Sequence, residues 1–491
     1  MSSKDTIKIS SSKKIVGNTI LSSLSELSLV FTSIFYILAA RFLGDLKFGI
    51  FNTALGYVGI FSPFIVLGFT YSITKVIVKQ RSKVGIFVSN ALFVQFIVAL
   101  FIFIICFGIT FAIDYPSNVK YLIIIVFIAE LLRCFGLTIR AACKAMGKFH
   151  FDTIAVNTER IFLLIFGLLF LILGYGLFTL ALILLISRFI SFVLFGFFIY
   201  KIDSKVVNWP NLNVCKWLLK KSWIYIIQSV FWRIYNYIDV VMISIMRSFS
   251  EVGWYSAGRR IIEGLWIIPN IITEAIYPEL SARHLVSHEM VVKLFERSFK
   301  YTLSIAVIVS IGTVMLAKVV IGLIYGPEFK NTVIVLMLLG SAVVPSYLCY
   351  LFGNTLIAIN LQKKGVYISA GRSVFNIFAN LVLIPFYGYV GATIATVATD
   401  YFTIIGHMII LKKAGVIKRS QIKFIVKPFI AVVFIIPFYL LTSFLNVYLQ
   451  FVMIVVLYVI LIVVLKIFDQ EEIRIFKRYI SNKLLFFKKH P

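Results

Sequence analysis

The chain alternates long apolar runs with short polar interruptions, from Ile15 to Leu465. A membrane-spanning helix needs about 20 mostly apolar residues. Fourteen runs meet that length: 15–40, 50–74, 84–112, 121–143, 153–173, 177–200, 219–246, 253–278, 299–325, 332–359, 365–386, 388–411, 425–445 and 448–467. The joints at Gly174–Gly176 and Tyr387–Gly388 are the shortest. The pattern predicts an all-α integral membrane protein with fourteen transmembrane helices. Open sheet edges find no hydrogen-bond partners in lipid, whereas a helix satisfies its own backbone.

Charge in the interruptions sets the orientation. Of 48 Lys and Arg, 35 fall in alternate loops and termini on one side, among them Lys75, Lys79, Arg140, Lys144, Lys220, Lys221, Lys412 and Lys413. Five lie on the other side: Arg41, Lys47, Lys120, Arg247 and Lys330. The basic side is cytoplasmic, which places both termini there and the chain in the cell membrane as a multi-pass protein. This loop distribution also explains the net charge of +28 without nucleic acid as a partner. Composition agrees: 61% of residues are hydrophobic, 14% are charged, and mean hydropathy is +1.00. A soluble domain is about 45–50% apolar and about 25% charged, so a soluble enzyme and a disordered chain are excluded. The five cysteines show no CxxC spacing and read as small core residues.

The first run is too long for a signal-peptide core and reads as an uncleaved span. At the other end, Ile473, Phe476, Ile480, Leu484 and Phe487 recur at helical intervals between Lys and Arg, which predicts a helix lying along the headgroups. No P-loop is present, so ATP hydrolysis is excluded. His284 and His288 are four apart, but Leu285 stands where HExxH needs Glu, so no metal or other cofactor is expected.

The most polar internal stretch, 202–218, separates two halves that echo each other. Gly49-Ile-Phe-Asn-Thr-Ala54 follows span one, and Gly253-Trp-Tyr-Ser-Ala-Gly258 follows span seven. Pro63 in span two matches Pro269 in span eight, and Tyr175-Gly176 matches Tyr387-Gly388. Six spans per copy is even, so the copies are parallel repeats about an axis along the membrane normal. The expected organisation is a six-helix lobe at 1–201, a cytoplasmic linker at 202–218 and a second six-helix lobe at 219–413. A helix pair follows at 414–469, and an amphipathic cytoplasmic tail at 470–491. Pro63 and Pro269 each remove a helix hydrogen bond, so spans two and eight should kink there. A gating hinge and a static kink both fit.

Fifteen charges lie inside the runs, where each costs at least about 2.5–3.5 kcal/mol at the bilayer centre unless it faces protein or water. The cations are Arg133, Arg160, Arg188, Arg233, Arg259, Arg260, Lys318 and Arg372; the acids are Glu26, Glu130, Glu159, Asp239, Glu263, Glu274 and Asp400. Turns near residues 249 and 146 set Asp239 level with Arg259 and Arg260, and Arg133 level with Glu159. Glu263 shares a face with both Arg259 and Arg260, as Glu130 does with Arg133. Arg188 and Asp400 occupy equivalent places and are candidates to meet. Arg372, Asn376 and Asn380 form a polar stripe suited to helix–helix hydrogen bonding. Adjacent arginines offer forked donors for phosphate or pyrophosphate, with Glu26, Asp239 and Glu263 relaying a coupling cation or holding the empty site. Structural ion pairs between helices explain the same residues equally well.

Several stretches resemble Wzx-type oligosaccharide flippases, of the multidrug/oligosaccharidyl-lipid/polysaccharide exporter superfamily. They are Arg41-Phe-Leu-Gly-Asp45 with Phe48-Gly49-Ile-Phe51, Gly253-Trp-Tyr-Ser-Ala257, Tyr277-Pro278-Glu-Leu280, Ile321-Gly-Leu-Ile-Tyr-Gly-Pro-Glu-Phe329, and Ile384-Pro385 with Tyr387-Gly388-Tyr-Val-Gly-Ala392. The resemblance implies two six-helix bundles plus a terminal pair. It also implies alternating-access transfer of a polyprenyl-pyrophosphate-linked oligosaccharide from the cytoplasmic to the outer leaflet, for surface polysaccharides such as O-antigen. Its partners would be that substrate, membrane lipid and other surface-glycan assembly proteins. The cavity arginines it implies match Arg233, Arg259 and Arg260, with Asp239 and Glu26 as polar partners. The first lobe offers that lining no arginine except Arg41 at the outer mouth. Two rivals remain: a drug/cation antiporter of the same fold, whose cavity would favour cations, and a glycan polymerase or ligase, for which no outer loop is long enough.

Overall fold

The computed structural model describes residues 28–417, 437–439, 441–442 and 445–465. Glu26, most of the expected thirteenth span and the expected amphipathic tail lie outside the described residues. Every regular element among the described residues is a helix. In chain order they are α1 (Leu29–Val66), α2 (Phe69–Lys79), α3 (Val84–Ala112), α4 (Ser117–Ala145), α5 (Phe149–Ile172), α6 (Leu177–Ile202), α7 (Leu212–Met246) and α8 (Phe249–Leu265). Then follow α9 (Ile267–His284), α10 (His288–Met315), α11 (Ala317–Ile324), α12 (Thr332–Ser341), α13 (Val343–Ala358), α14 (Gln362–Lys413) and α15 (Val447–Val464).

Among the described residues, eight helical stretches are long and apolar enough to cross a membrane, or nine if the pair α12–α13, bent by 48°, is one span. Two of the eight contain a break. Gly44 (φ 73°, ψ 173°) interrupts α1, and Gly388 (φ 57°, ψ −137°) interrupts α14 at the expected joint. Positive φ is the region in which glycine alone escapes a Cβ clash. The α7 helix, 35 residues long, is not among the eight. The protein is thus an all-helical, multi-pass membrane protein. Its most apolar helices wear their hydrophobic side chains outward: on α3, Phe101, Ile104 and Phe111 are all more than 60% exposed. In water that surface would collapse; in lipid it is the solvated face.

Two compact units are present. One comprises residues up to Gly264 with Ile321–Val335 and Ser369–Ala395; the other comprises Leu265–Val320, Leu336–Ile368 and the chain from Thr396. The second unit is centred on Phe295, Phe299, Leu351, Phe352, Leu411 and Tyr458. It also shows how a proline break is accommodated. Pro269 lies in the first turn of α9 and cannot donate to the Leu265 carbonyl four residues back, so α8 stops at Leu265. The freed carbonyl accepts the Tyr347 hydroxyl at 2.8 Å. In the first unit the same position relative to Pro63 is the Gly59 carbonyl, which accepts the Ser62 hydroxyl at 2.9 Å. Helix α1 ends three residues past Pro63, and Leu67 and Gly68 then take left-handed φ values. Both echoed prolines therefore sit beside real breaks.

The first unit holds an apolar core around Phe69, Ile73, Val88, Ile139, Phe195 and Leu218. It also holds the echoed glycines in a reciprocal contact. A Cβ on Gly49 would fall 1.7 Å from the Phe249 carbonyl oxygen, and one on Gly253 would fall 2.2 Å from that of Asp45. Phe249 is four residues before Gly253, and Asp45 four before Gly49, so the two motifs grip each other in the same register. Small residues let helix backbones touch where lipid gives no hydrophobic drive. Gly253→Ala should cost about 1–3 kcal/mol of stability by overpacking. A thermal unfolding curve of the detergent-solubilised variant measures it, and an unshifted curve would show that the backbones are free to part.

Candidate functional site: an arginine-lined cavity

Four helices of the first unit bring the charged residues together. The short turn at Arg247–Ser248 folds α8 back along α7, so Asp239 and Arg259 reach the same depth. Arg259 Nη1 donates to Asp239 Oδ2 at 3.1 Å, and its Nε donates to Glu263 Oε1 at 3.3 Å. Its Nη2 donates to Asn236 Oδ1 at 3.1 Å, and Nη1 also reaches the Tyr255 hydroxyl at 3.0 Å. Asp239 is fully buried; it further accepts the Tyr255 hydroxyl and, at 2.6 Å, Asn380 Nδ2. Asn380 Nδ2 also donates to Asn376 Oδ1 at 3.2 Å within α14, and its bond to Asp239 ties that stripe to α7. Arg372, on the same stripe, lies 3.4 Å above the Tyr235 ring. Arg260 donates to Glu263 Oε2 at 3.0 Å and stacks 4.1 Å from the centre of the Tyr36 ring.

Arg233, one turn and a half before Asp239 on α7, differs from both. It donates to the Tyr237 hydroxyl at 3.1 Å and lies 5.4 Å from the Trp232 and Tyr237 ring centres. Among the described residues it makes no ion pair. Glycines at 56 and 59 of α1 leave room for Val240 and Tyr237 of α7, which fixes the wall on that side.

These side chains surround a cavity of about 340 Å³. Its lining carries five guanidinium groups, from Arg133, Arg188, Arg233, Arg259 and Arg260, against two carboxylates, Glu130 and Glu263. A second cavity of about 330 Å³, lined by Pro63, Gly68, Tyr71, Gln228 and Trp232, shares Arg233 with it. Asp239 stands behind the wall, Pro63 borders only the neighbouring cavity, and Pro269 belongs to the other unit.

One partnership follows the shared face expected from the sequence, and one departs from it. Of the two acids the spacing offered it, Arg133 takes Glu130, donating through Nε to Oε2 at 2.8 Å and through Nη2 to the other oxygen. The i, i+3 partner on its own helix is simply nearer. Arg188 donates to Glu130 Oε2 at 2.9 Å rather than seeking Asp400. The expectation that Arg41 alone represents the first half is therefore wrong: α4 and α6 deliver Arg133 and Arg188 to the lining. One signal pointed that way. Arg188 has no acid three or four residues away on its own helix, so its partner had to come from another.

A helical membrane protein with a cationic internal cavity is the class these features define. The chain belongs to the polysaccharide biosynthesis protein family, whose model matches residues 15–284. It is 22% identical over 188 residues to the probable low-salt glycan biosynthesis flippase Agl15 of Haloferax volcanii; the match covers 38% of this chain and 40% of that relative's length. The fold matches lipid II flippase MurJ in an inward closed conformation, with a TM-score of 0.72 and 13% identity over 91% of this chain and 98% of the other. It also matches an inward-facing multidrug resistance MATE family transporter of the MOP superfamily, with a TM-score of 0.66 and 13% identity over 81% and 98% of the chains.

Proposed function

We propose that this protein is a flippase that moves a polyprenyl-pyrophosphate-linked oligosaccharide from the cytoplasmic to the outer leaflet of the cell membrane. The observation that carries the reading is the lining, with five guanidiniums facing two carboxylates and Arg233 bound to no carboxylate among the described residues. A forked cation in a low-dielectric hollow suits a pyrophosphate, which accepts bidentate hydrogen bonds. The family membership and the flippase named among the relatives support the same substrate class. Arg233 and Arg260 hold the headgroup, Arg259 braces the wall, and the polyprenyl tail stays in lipid. Of fourteen spans, twelve form two six-helix lobes that rock about the cavity with Pro63 and Pro269 as hinges to give alternating access, and a terminal pair is added to them. Glu26, Asp239 and Glu263 compensate the arginines between substrates or relay a coupling cation. Other surface-glycan assembly proteins supply and remove the cargo.

An antiporter for cationic drugs shares the fold, but a cavity of this sign repels its cargo. The test is depletion. Loss of the protein should trap lipid-linked oligosaccharide in the inner leaflet, seen as glycan inaccessible to an external glycosidase on intact cells. Normal surface glycan after depletion would refute the reading.

A further inference from the structure

The second cavity, of about 330 Å³, falls within the roughly 300–1,000 Å³ range of small-molecule sites. It belongs to the first unit, as the arginine-lined cavity does. The helices fix the order of the two. On α1, Asn52 and Gly59 line the arginine-lined cavity, whereas Ser62 and Val66, further along, line the second. On α7, Asn236 and Val240 line the first, Gln228 and Ser229 the second, and Arg233 both. Since α7 follows the 202–218 linker, the second cavity lies on the linker side. Gln228 stands about 7.5 Å from Arg233 along the helix axis, at 1.5 Å per residue.

The second lining has a different chemistry. Arg233 is its one charged residue among the described residues. Tyr71 and Trp232 present their rings, 58% and 55% exposed, and Thr70, Gln228 and Ser229 add hydroxyls and an amide. The rings are held from behind. Tyr71 stacks on Tyr225 with centres 5.3 Å apart, and the Tyr225 hydroxyl accepts Lys75 Nζ at 2.7 Å. Gly68, at positive φ, lets α2 begin against α7: a Cβ there would fall 2.7 Å from that of Tyr225. The Trp232 ring has the Arg233 guanidinium 5.4 Å from its centre.

This combination fits a sugar. A sugar ring has apolar C–H faces and a rim of hydroxyls; the faces pack on aromatic rings, and the rim bonds to amides and hydroxyls. A polyprenyl chain in the same place would cover Thr70, Gln228 and Ser229 without bonding them, which costs free energy. A cationic drug would meet Arg233 with no carboxylate in the lining among the described residues.

We propose that this cavity is the subsite for the sugar joined to the pyrophosphate. Trp232 and Tyr71 are its platforms, and Gln228, Ser229 and Thr70 bond its hydroxyls. The proposal rests on the flippase reading for its ligand and adds the place where the glycan is recognised. Arg233 stands at the junction, so a pyrophosphate held there leaves its first sugar beside Trp232. Discrimination between glycans falls to this lining, because the pyrophosphate is the same whatever sugar it carries.

The test measures binding to the full-length protein in nanodiscs of neutral lipid. The probes are polyprenyl pyrophosphate and the same lipid carrying one hexose or one N-acetylhexosamine. The better glycosylated probe should bind about tenfold or more tighter than the bare lipid, the scale of two or more neutral hydrogen bonds. Trp232→Leu and Gln228→Leu should each cut that ratio several-fold and leave the bare lipid's affinity little changed. Trp232→Tyr should keep much of the ratio, because it keeps an aromatic face. Arg233→Gln should weaken all probes alike. Equal binding of bare and glycosylated lipid, or a Trp232→Leu loss that is the same for both, overturns the sugar subsite while the flippase reading stands. Failure of every probe to bind the unsubstituted protein would overturn the flippase reading, and the subsite with it.

Discussion

Arg233→Gln is expected to stop translocation while leaving the fold intact. The physical reason is the company this residue keeps. Its guanidinium donates to one neutral hydroxyl, that of Tyr237, and lies over aromatic faces. Removing its charge therefore orphans no buried carboxylate, the usual source of large destabilisation at such positions. The unfolding midpoint of the solubilised variant should stay close to that of the unsubstituted protein. Transport should not. One hydrogen bond to a charged group is worth about 1.5–3 kcal/mol, so losing a forked donor to a pyrophosphate should slow delivery tenfold to more than a hundredfold. Arg233→Lys should recover only part, because an ammonium keeps the charge but not the fork. The measurement is transbilayer movement of a fluorescent lipid-linked oligosaccharide in proteoliposomes. Full activity in Arg233→Gln would move the headgroup site elsewhere.

Much of the local geometry was legible because it depends on spacing. The turns near 146 and 249, the shared face of Arg259, Arg260 and Glu263, and the level match of Asp239 with Arg259 follow from rise per residue and hairpin symmetry. Breaks beside Pro63 and Pro269 follow from a missing donor, whereas spacing says nothing of Ser62 and Tyr347 satisfying the carbonyls. What stayed hidden is rotation. In a soluble protein the apolar stripe of a helix shows which face is inside. Here α3 and α6 show no single apolar stripe, because one face meets lipid and the other protein. Arg133 and Arg188 could thus be counted as buried charges without being assigned to the cavity wall. The echo at Gly49 and Gly253 was visible as a motif; that each glycine meets the backbone four residues before the other required coordinates.

Arg259→Ala should behave oppositely to Arg233→Gln, losing stability first and function only as a consequence. Asp239 is fully buried, and Arg259 Nη1 is ion-paired with it at 3.1 Å. Truncating Arg259 removes that ion pair, with the neutral donors Tyr255 and Asn380 still bound to the carboxylate, and takes Asn236 and one oxygen of Glu263 out of the network. Breaking a buried pair from one side costs about 3–5 kcal/mol, more than most single substitutions. Neutralising the survivor should restore much of it: Asp239→Asn keeps an acceptor for Tyr255 and removes the uncompensated charge. The double variant should be more stable than Arg259→Ala alone, with a coupling of about 1–3 kcal/mol across the cycle. Unfolding curves for the four proteins give the number. Additive losses would mean that the two side chains do not share one network. Arg259 would then be as free to bind a headgroup as Arg233, and the cavity would present one more open donor than its hydrogen bonds imply.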